Sequence, residues 1–244
     1  MKIVRPYEKV HLIYDHLMKH VDYKDWAEYI DEIVEHHGIK GVELLDVACG
    51  SGSFLPHFYE MGYDLTAVEL SEEMILQAKE KVEYFDDIQI FQQDMTQLSL
   101  DKTYDVVVCL FDSVNYLPSS DLLVLFFNHI AKVLKPEGIF IFDVATQYSC
   151  KRHFGNFTEN GTVGSVQYNR RCTYSFQDNI QTSVFTLETD DETFKETHQQ
   201  RIYSIEEIER AIQQSGLRCI ATHGDFDLDP IDAETERAHF VLKH

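Results

Sequence analysis

The sequence predicts an α/β fold, a doubly wound and mostly parallel sheet with an antiparallel β meander inserted into it. Three observations carry this. Between residues 42 and 146, continuous apolar runs alternate with helical patterns, and strands buried on both faces of a parallel sheet read as such runs. From 147 to 203 the pattern changes to period two, with β-branched and aromatic residues between polar ones. At Ser204 the helical period resumes.

The elements follow in order. Residues 6–19 and 22–37 are patterned as two helices. VELLDVAC is the first buried strand and runs into Gly50-Ser51-Gly52. FLPHFYEMG is a short helix ending near Gly62, and YDLTAVEL (63–70) is the second strand. Ser71 caps the next helix, with Glu72 and Glu73 in the first turn, where acids favour the helix dipole. IQIFQQDM (88–95) and YDVVVCLF (104–111) are the third and fourth strands. A helix from Ser119 to Leu134 stops at Lys135-Pro136-Glu137-Gly138, and GIFIFDVAT (138–146) is the fifth strand. No helix is expected between 147 and 203. VQYNRRCTYSF, IQTSVFTLET and FKETHQQRIY form the meander, turning at Asp178-Asn179 and Asp190-Asp191. Ser204-Ile205-Glu206-Glu207 is a capping box, its helix stopping at Gly216. RCIATHGDF and RAHFVLKH supply the last strands. The organisation is therefore a helical cap (1–40), a core (41–146), the β insertion (147–203) and the returning helix and strands (204–244).

Composition bounds the function. Acids outnumber Lys plus Arg by 42 to 21, a net charge of −21, which repels phosphate backbones and anionic lipid and argues against nucleic-acid binding. No apolar run approaches the ~20 residues of a membrane span. MKIVRPYEKV has no apolar core of a secretion signal. The five cysteines lack any C-x-x-C spacing and read as reduced thiols, so a cytoplasmic protein is expected. The pattern holds no metal-ligand spacing.

A parallel sheet binds ligands at the carboxyl ends of its strands. Here the first strand ends in Asp46-Val47-Ala48-Cys49-Gly50-Ser51-Gly52, the second in Glu69-Leu70 and the third in Gln93-Asp94-Met95. The glycines allow a tight turn and close backbone approach. Glu69 can accept both hydroxyls of a ribose, and Asp94 an exocyclic amine. A dinucleotide fingerprint would need a third glycine at Leu55. Asp46, Glu69, Asp94 and Asp112 surround the loop with acid, which suits a ligand with a cationic head.

LLDVACGSGSF, AVEL, QDM and the Leu134–Gly138 turn resemble the class I S-adenosylmethionine-dependent methyltransferases. YEKVHLIYDHLMKHVDYKDW and FKETHQQRIYSIEEIERAI resemble a bacterial small-methyltransferase subgroup with an N-terminal helical cap. The resemblance implies a Rossmann-like sheet of seven strands, the last antiparallel, and S-adenosyl-L-methionine as cofactor. It implies that Asp46 and the Ala48–Gly52 loop, Gly50 and Gly52 included, hold the methionine end. Glu69 and the neighbouring Leu70 take the ribose, Asp94 and Met95 the adenine, and Phe111, Asp112 and Ser113 line the floor near the sulfonium. Tyr14 belongs to a lid. Tyr7 and Tyr14, seven residues apart, read otherwise as one packed helix face.

In the insertion, Glu196, His198 and Gln200 share one strand face and Thr197, Gln199 and Arg201 the other. Polar residues on both faces fit an exposed edge strand. The subgroup's E-x-H-x-x-R pattern instead makes Glu196, His198 and Arg201 catalytic, binding and deprotonating an acceptor. The expected function is methyl transfer from S-adenosylmethionine to nitrogen or oxygen of a small molecule. The competing reading is a non-catalytic protein that binds S-adenosylmethionine or S-adenosylhomocysteine and regulates a partner. A homodimer through the edge of the β insertion is a further expectation.

Overall fold

The computed structural model describes residues 1–244. The chain begins with a short strand, β1 (Lys2–Val4), and two helices, α1 (His11–Leu17) and α2 (Tyr23–His36). The alternating core follows as β2 (Glu43–Val47), α3 (Leu55–Glu60), β3 (Asp64–Glu69), α4 (Glu72–Lys81), β4 (Gln89–Gln92), β5 (Tyr104–Cys109), α5 (Ser120–Val133) and β6 (Leu134–Ala145). Then come α6 (Gln147–His153), the meander β7 (Asn156–Val163), β8 (Val166–Ser175), β9 (Ile180–Glu188) and β10 (Thr193–Arg201), and finally α7 (Ile205–Gln213), β11 (Arg218–Gly224) and β12 (Arg237–Lys243).

The main sheet has seven strands in the order β11-β12-β6-β5-β2-β3-β4. Pairings among β6, β5, β2, β3 and β4 are parallel, and β12 runs antiparallel to both its neighbours. This is the expected doubly wound sheet. Its strands are apolar on both faces because both are covered. Val107, Cys109, Phe140 and Phe142 pack towards α5 and α7, while Val106, Val108, Ile139 and Ile141 pack towards α2 and α3. Chain order reverses between β2 and β5, so the crevice for a ligand opens there.

The meander forms a second, five-stranded sheet in the order β1-β10-β9-β8-β7. It stands over the carboxyl ends of the main strands as a roof. Its own core is Val166, Tyr168, Phe185, Leu187 and Phe194, closed by Val10, Ile13 and Leu17 of the N-terminal segment. The two N-terminal helices thus pack on different bodies, α1 under the roof and α2 on the main sheet.

Several expectations need correction. A helix does lie between 147 and 203. In α6 the Thr146 side chain accepts from Ser149 N, and Lys151, Arg152 and His153 close the last turn. Seven residues are too few to show a helical period in sequence. The meander has an extra strand, β7, which holds the outer edge. The third core strand stops at Gln92, before Asp94. The Lys135–Gly138 segment belongs to β6, whose pairing with β5 shifts register between Tyr104 and Val106. Helix α1 begins only at His11, since Tyr7 sits at φ 64°. Strand β10 is not an edge, because β1 pairs with it in parallel.

Candidate active site

A cleft of about 870 Å³ lies between the main sheet and the roof, within the range of small-ligand sites. Its lower wall is built from strand ends. After β2 the chain turns sharply, with Ala48, Gly50 and Gly52 all at positive φ. Gly52 is required by packing as well. A Cβ there would stand 2.9 Å from the Cβ of Ala78 on α4. Gly50 and Ala48 line the cleft, whereas Gly52 does not and serves the turn.

Glu69 ends β3 almost fully buried, and its carboxylate organises the loop. Oε2 accepts from Gly50 N at 3.0 Å, and Oε1 from Leu70 N at 2.8 Å and Ser71 N at 2.9 Å. Burial raises its pKa against the opposing pull of those three N–H groups. Asp46 lies below the loop at 1% exposure, and its Oδ2 has no hydrogen-bond partner. Burial and then the nearby Glu69 push its carboxyl up to about 7. A buried carboxylate oxygen with no donor is costly unless a ligand supplies one. Asp46 does not itself line the cleft, so its charge acts on a cationic ligand group through the covering loop, and the cleft-lining Ala48, Gly50 and Glu69 fit an S-adenosylmethionine-type ligand.

Asp94 lines the cleft and also caps the turn after it, accepting from Thr96 N and Thr96 Oγ1, both at 2.7 Å through one oxygen. Leu70 and Met95 line the same wall.

The floor after β5 is a charged lattice. Phe111 and Asp112 are consecutive left-handed residues at φ 61° and 49°, conformations that cost non-glycine residues roughly 1–2 kcal/mol each. Asp143 on β6 holds them, accepting from Phe111 N at 2.7 Å and Asp112 N at 2.8 Å. Arg237 pairs with Asp143 and, at 2.9 Å, with Asp112, and it stacks on Trp26 and Phe111. Burial raises the Asp143 carboxyl to about 6, opposed by Arg237. Gln200 Nε2 completes the lattice, donating to Asp112 Oδ2 at 2.5 Å.

A chain of four side chains joins the roof to the core, with His198 and Glu196 from β10, Tyr116 from the turn after β5 and Tyr7 from the segment before α1. Tyr7 Oη donates to Tyr116 Oη at 2.8 Å, and Tyr116 Oη meets His198 Nδ1 at 2.9 Å. His198 Nε2 meets Glu196 Oε1 at 2.8 Å. Glu196 is an acceptor only, so Nε2 carries the proton and Nδ1 accepts from Tyr116. The fully buried Glu196 carboxylate also accepts from Tyr7 N, Lys9 N and Val10 N at 2.5, 2.8 and 3.0 Å. Burial raises the pKa of Tyr7, Tyr14 and Tyr116 well above the phenol value.

The expected trio is therefore split. His198 lines the cleft; Glu196 lies behind it; Arg201 is elsewhere. Arg201 projects from the opposite face of β10, pairs with Glu207 at 2.8 Å and covers the Tyr203 ring. The period-two alternation that joins Glu196 to His198 excludes Arg201 from their face. Tyr14 does line the cleft, meeting Tyr7 edge to face at 5.8 Å. Sequence reasoning missed Tyr116, Asp143 and Arg237. An aspartate inside the apolar run of β6 was the one visible signal.

The family described as Methyltransferase domain matches residues 44–138. A Bacillus subtilis (strain 168) protein named "Putative methyltransferase YqeM" is 32% identical over 237 residues, covering 93% of each chain. The dTDP-3-amino-3,4,6-trideoxy-alpha-D-glucopyranose N,N-dimethyltransferase of Streptomyces venezuelae is 33% identical over 131 residues, 53% of this chain and 54% of its own. The crystal structure of an S-adenosylmethionine-dependent methyltransferase from Clostridium acetobutylicum ATCC 824 superposes with a TM-score of 0.84 at 28% identity, covering 97% of this chain and 98% of that one. With a relative above 30% identity over 93% of both chains and a TM-score of 0.84 to that methyltransferase structure, the chain belongs to the class I S-adenosylmethionine-dependent methyltransferases.

Proposed function

We propose that this enzyme methylates a nitrogen or oxygen of a small molecule held between the main sheet and the roof, and that the acceptor's proton leaves through the Tyr7–Tyr116–His198–Glu196 chain. The observation that carries this reading is the unbroken hydrogen-bonded path from the cleft to a buried carboxylate. It also favours turnover over mere binding of the donor, since a regulatory protein has no need of a proton path. Small-molecule acceptors fit the Streptomyces relative, named as an aminosugar N,N-dimethyltransferase.

When bound, S-adenosylmethionine supplies a sulfonium methyl group whose C–S electrons stay on sulfur as the acceptor's lone pair takes the carbon. Asp46, Ala48 and Gly50 are assigned to its methionine end, Glu69 with Leu70 to the ribose, and Asp94 with Met95 to the adenine. Phe111 and Asp112 form the floor near the sulfonium, set rigidly by Asp143 and Arg237. The roof's part is to align the acceptor with the methyl group, an effect worth roughly 7–11 kcal/mol of barrier. Tyr7 Oη accepts from no group of this chain, so the acceptor proton enters there. Tyr7 passes its own proton to Tyr116, and Tyr116 passes one to His198 Nδ1. Their raised pKa values keep both phenols neutral, so they relay protons rather than hold charge. Glu196 stabilises the imidazolium that results.

The test begins with release of S-adenosylhomocysteine across a panel of small amines, alcohols and carboxylates. With the best acceptor found, Tyr116→Phe should lower kcat by about 100-fold, the lower end for acid–base catalysis, with unchanged affinity for S-adenosylhomocysteine. An unaltered kcat would remove the relay.

A further inference from the structure

We infer that Arg170 is an anion-binding residue of the acceptor site, so that the acceptor carries a carboxylate or phosphate beside the amine or hydroxyl that is methylated. The inference rests on the acceptor reading of the roof and names its substrate class. Three arginines line the cleft. Arg237 is neutralised by Asp112 and Asp143, and Arg5 pairs with Glu8 at the rim. Arg170 alone makes no ion pair. Its Nε is buried and has no hydrogen-bond partner. Other unpaired arginines, such as Arg171 and Arg218, are exposed to water, whereas Arg170 faces the cleft with a buried, unpartnered Nε. The acid facing it across the β7–β8 ladder, Glu159, instead accepts from Tyr168 Oη at 3.1 Å.

The guanidinium is held in place. It lies 5.4 Å from the Phe185 ring centroid and 5.9 Å from that of Phe157. Stacking of this kind leaves the edge of the guanidinium fork free to take a planar anion with two donors. The ladder then fixes its relation to the proton chain. Arg170 on β8 faces Phe185 on β9, which faces Glu196 on β10, and Ser183 in the adjacent row faces His198. Arg170 and His198 therefore point from one sheet face, two strands across and two residues along, about 12 Å of backbone apart. That span suits one small molecule with its anion at Arg170 and its nucleophile near Tyr7. The acid-lined floor, with Glu69, Asp94 and Asp112, repels an anion and so orders the molecule with its anionic end towards the roof.

The experiment needs no turnover and no identified acceptor. Protein labelled with ¹⁵N and saturated with S-adenosylhomocysteine is titrated with acetate and, separately, with inorganic phosphate, at ionic strength held constant with sodium chloride. The Arg170 Nε–H signal, assigned by its loss in Arg170→Lys, should shift saturably with one of the two, and which one separates a carboxylate from a phosphate acceptor. Calorimetry of the same anion should show binding weakened about tenfold or more in Arg170→Gln and less in Arg170→Lys, which keeps the charge. No shift with either anion, or equal anion binding in Arg170→Gln, overturns the inference. Tyr116→Phe tests the proton path separately, so the two readings fail in different experiments.

Discussion

The two walls of the cleft are built on opposite principles. The lower wall is local: Glu69 reaches back only 19 residues to Gly50, and its other bonds go to the next two backbone N–H groups. The roof is not: Glu196 ties to Tyr7 across 189 residues, and Tyr116 meets His198 across 82. The lower wall presents backbone and two acids to a ligand of fixed shape. The roof presents side chains from a separate sheet and is tied to the core below through Gln200–Asp112 and His198–Tyr116. In the proposed function the donor lies on the first wall and the acceptor against the second.

The largest expected effect is on the roof. Glu196→Ala leaves three backbone N–H groups and His198 Nε2 without their acceptor, and loss of one partner in such a buried set costs about 3–5 kcal/mol. Chemical denaturation should show that loss. Native-like stability in this variant would mean that apolar packing and the β1–β10 pairing suffice to hold the N-terminal segment to the meander. A smaller effect is expected below. Glu69→Gln should weaken S-adenosylhomocysteine binding by about 1–3 kcal/mol, measured by calorimetry. If affinity stayed the same while stability fell, Glu69 would be a loop brace and not a ligand contact.

The smallest effect is a pH dependence. The Asp46 carboxyl titrates near 7 in the fold, above its unfolded value, so its ionisation weakens the empty protein progressively from the unfolded pKa up to about pH 7. Stability from this group is complete at low pH and lost as pH rises through that window. A cationic ligand group reverses the preference, because it binds the ionised form. Affinity for S-adenosylhomocysteine should therefore rise up to about tenfold between pH 6 and 8, and the rise should vanish in Asp46→Asn. A wild-type profile that is flat over this range would separate Asp46 from the ligand.

Much of the lower wall was legible because its signals are short in sequence. Gly50, Gly52, Glu69 and Asp94 each sit beside a strand whose apolar run marks its end. Even so, two roles needed coordinates: Gly52 is demanded by Ala78 on α4, and Asp46 is covered by the loop. The capping box at Ser204 was equally local and forms as read. Helix α6 was invisible because it is short and buries little besides Ser149 and Cys150. Arg201 was misplaced because a motif gives order along a strand, and the pleat sends odd and even positions to opposite faces.

The sequence by itself determined the doubly wound sheet, its turn chemistry and the acids at its strand ends, since those depend on apolar periodicity and on neighbours a few residues away. Only the tertiary structure decided that β1 covers β10, that Tyr7 and Tyr116 cap His198, that Arg237 locks the floor and that Arg170 stands unpaired. Those contacts join residues far apart in sequence, and their partners are chosen by strand order within each sheet and by how the second sheet docks over the first. No pattern along the chain encodes that docking.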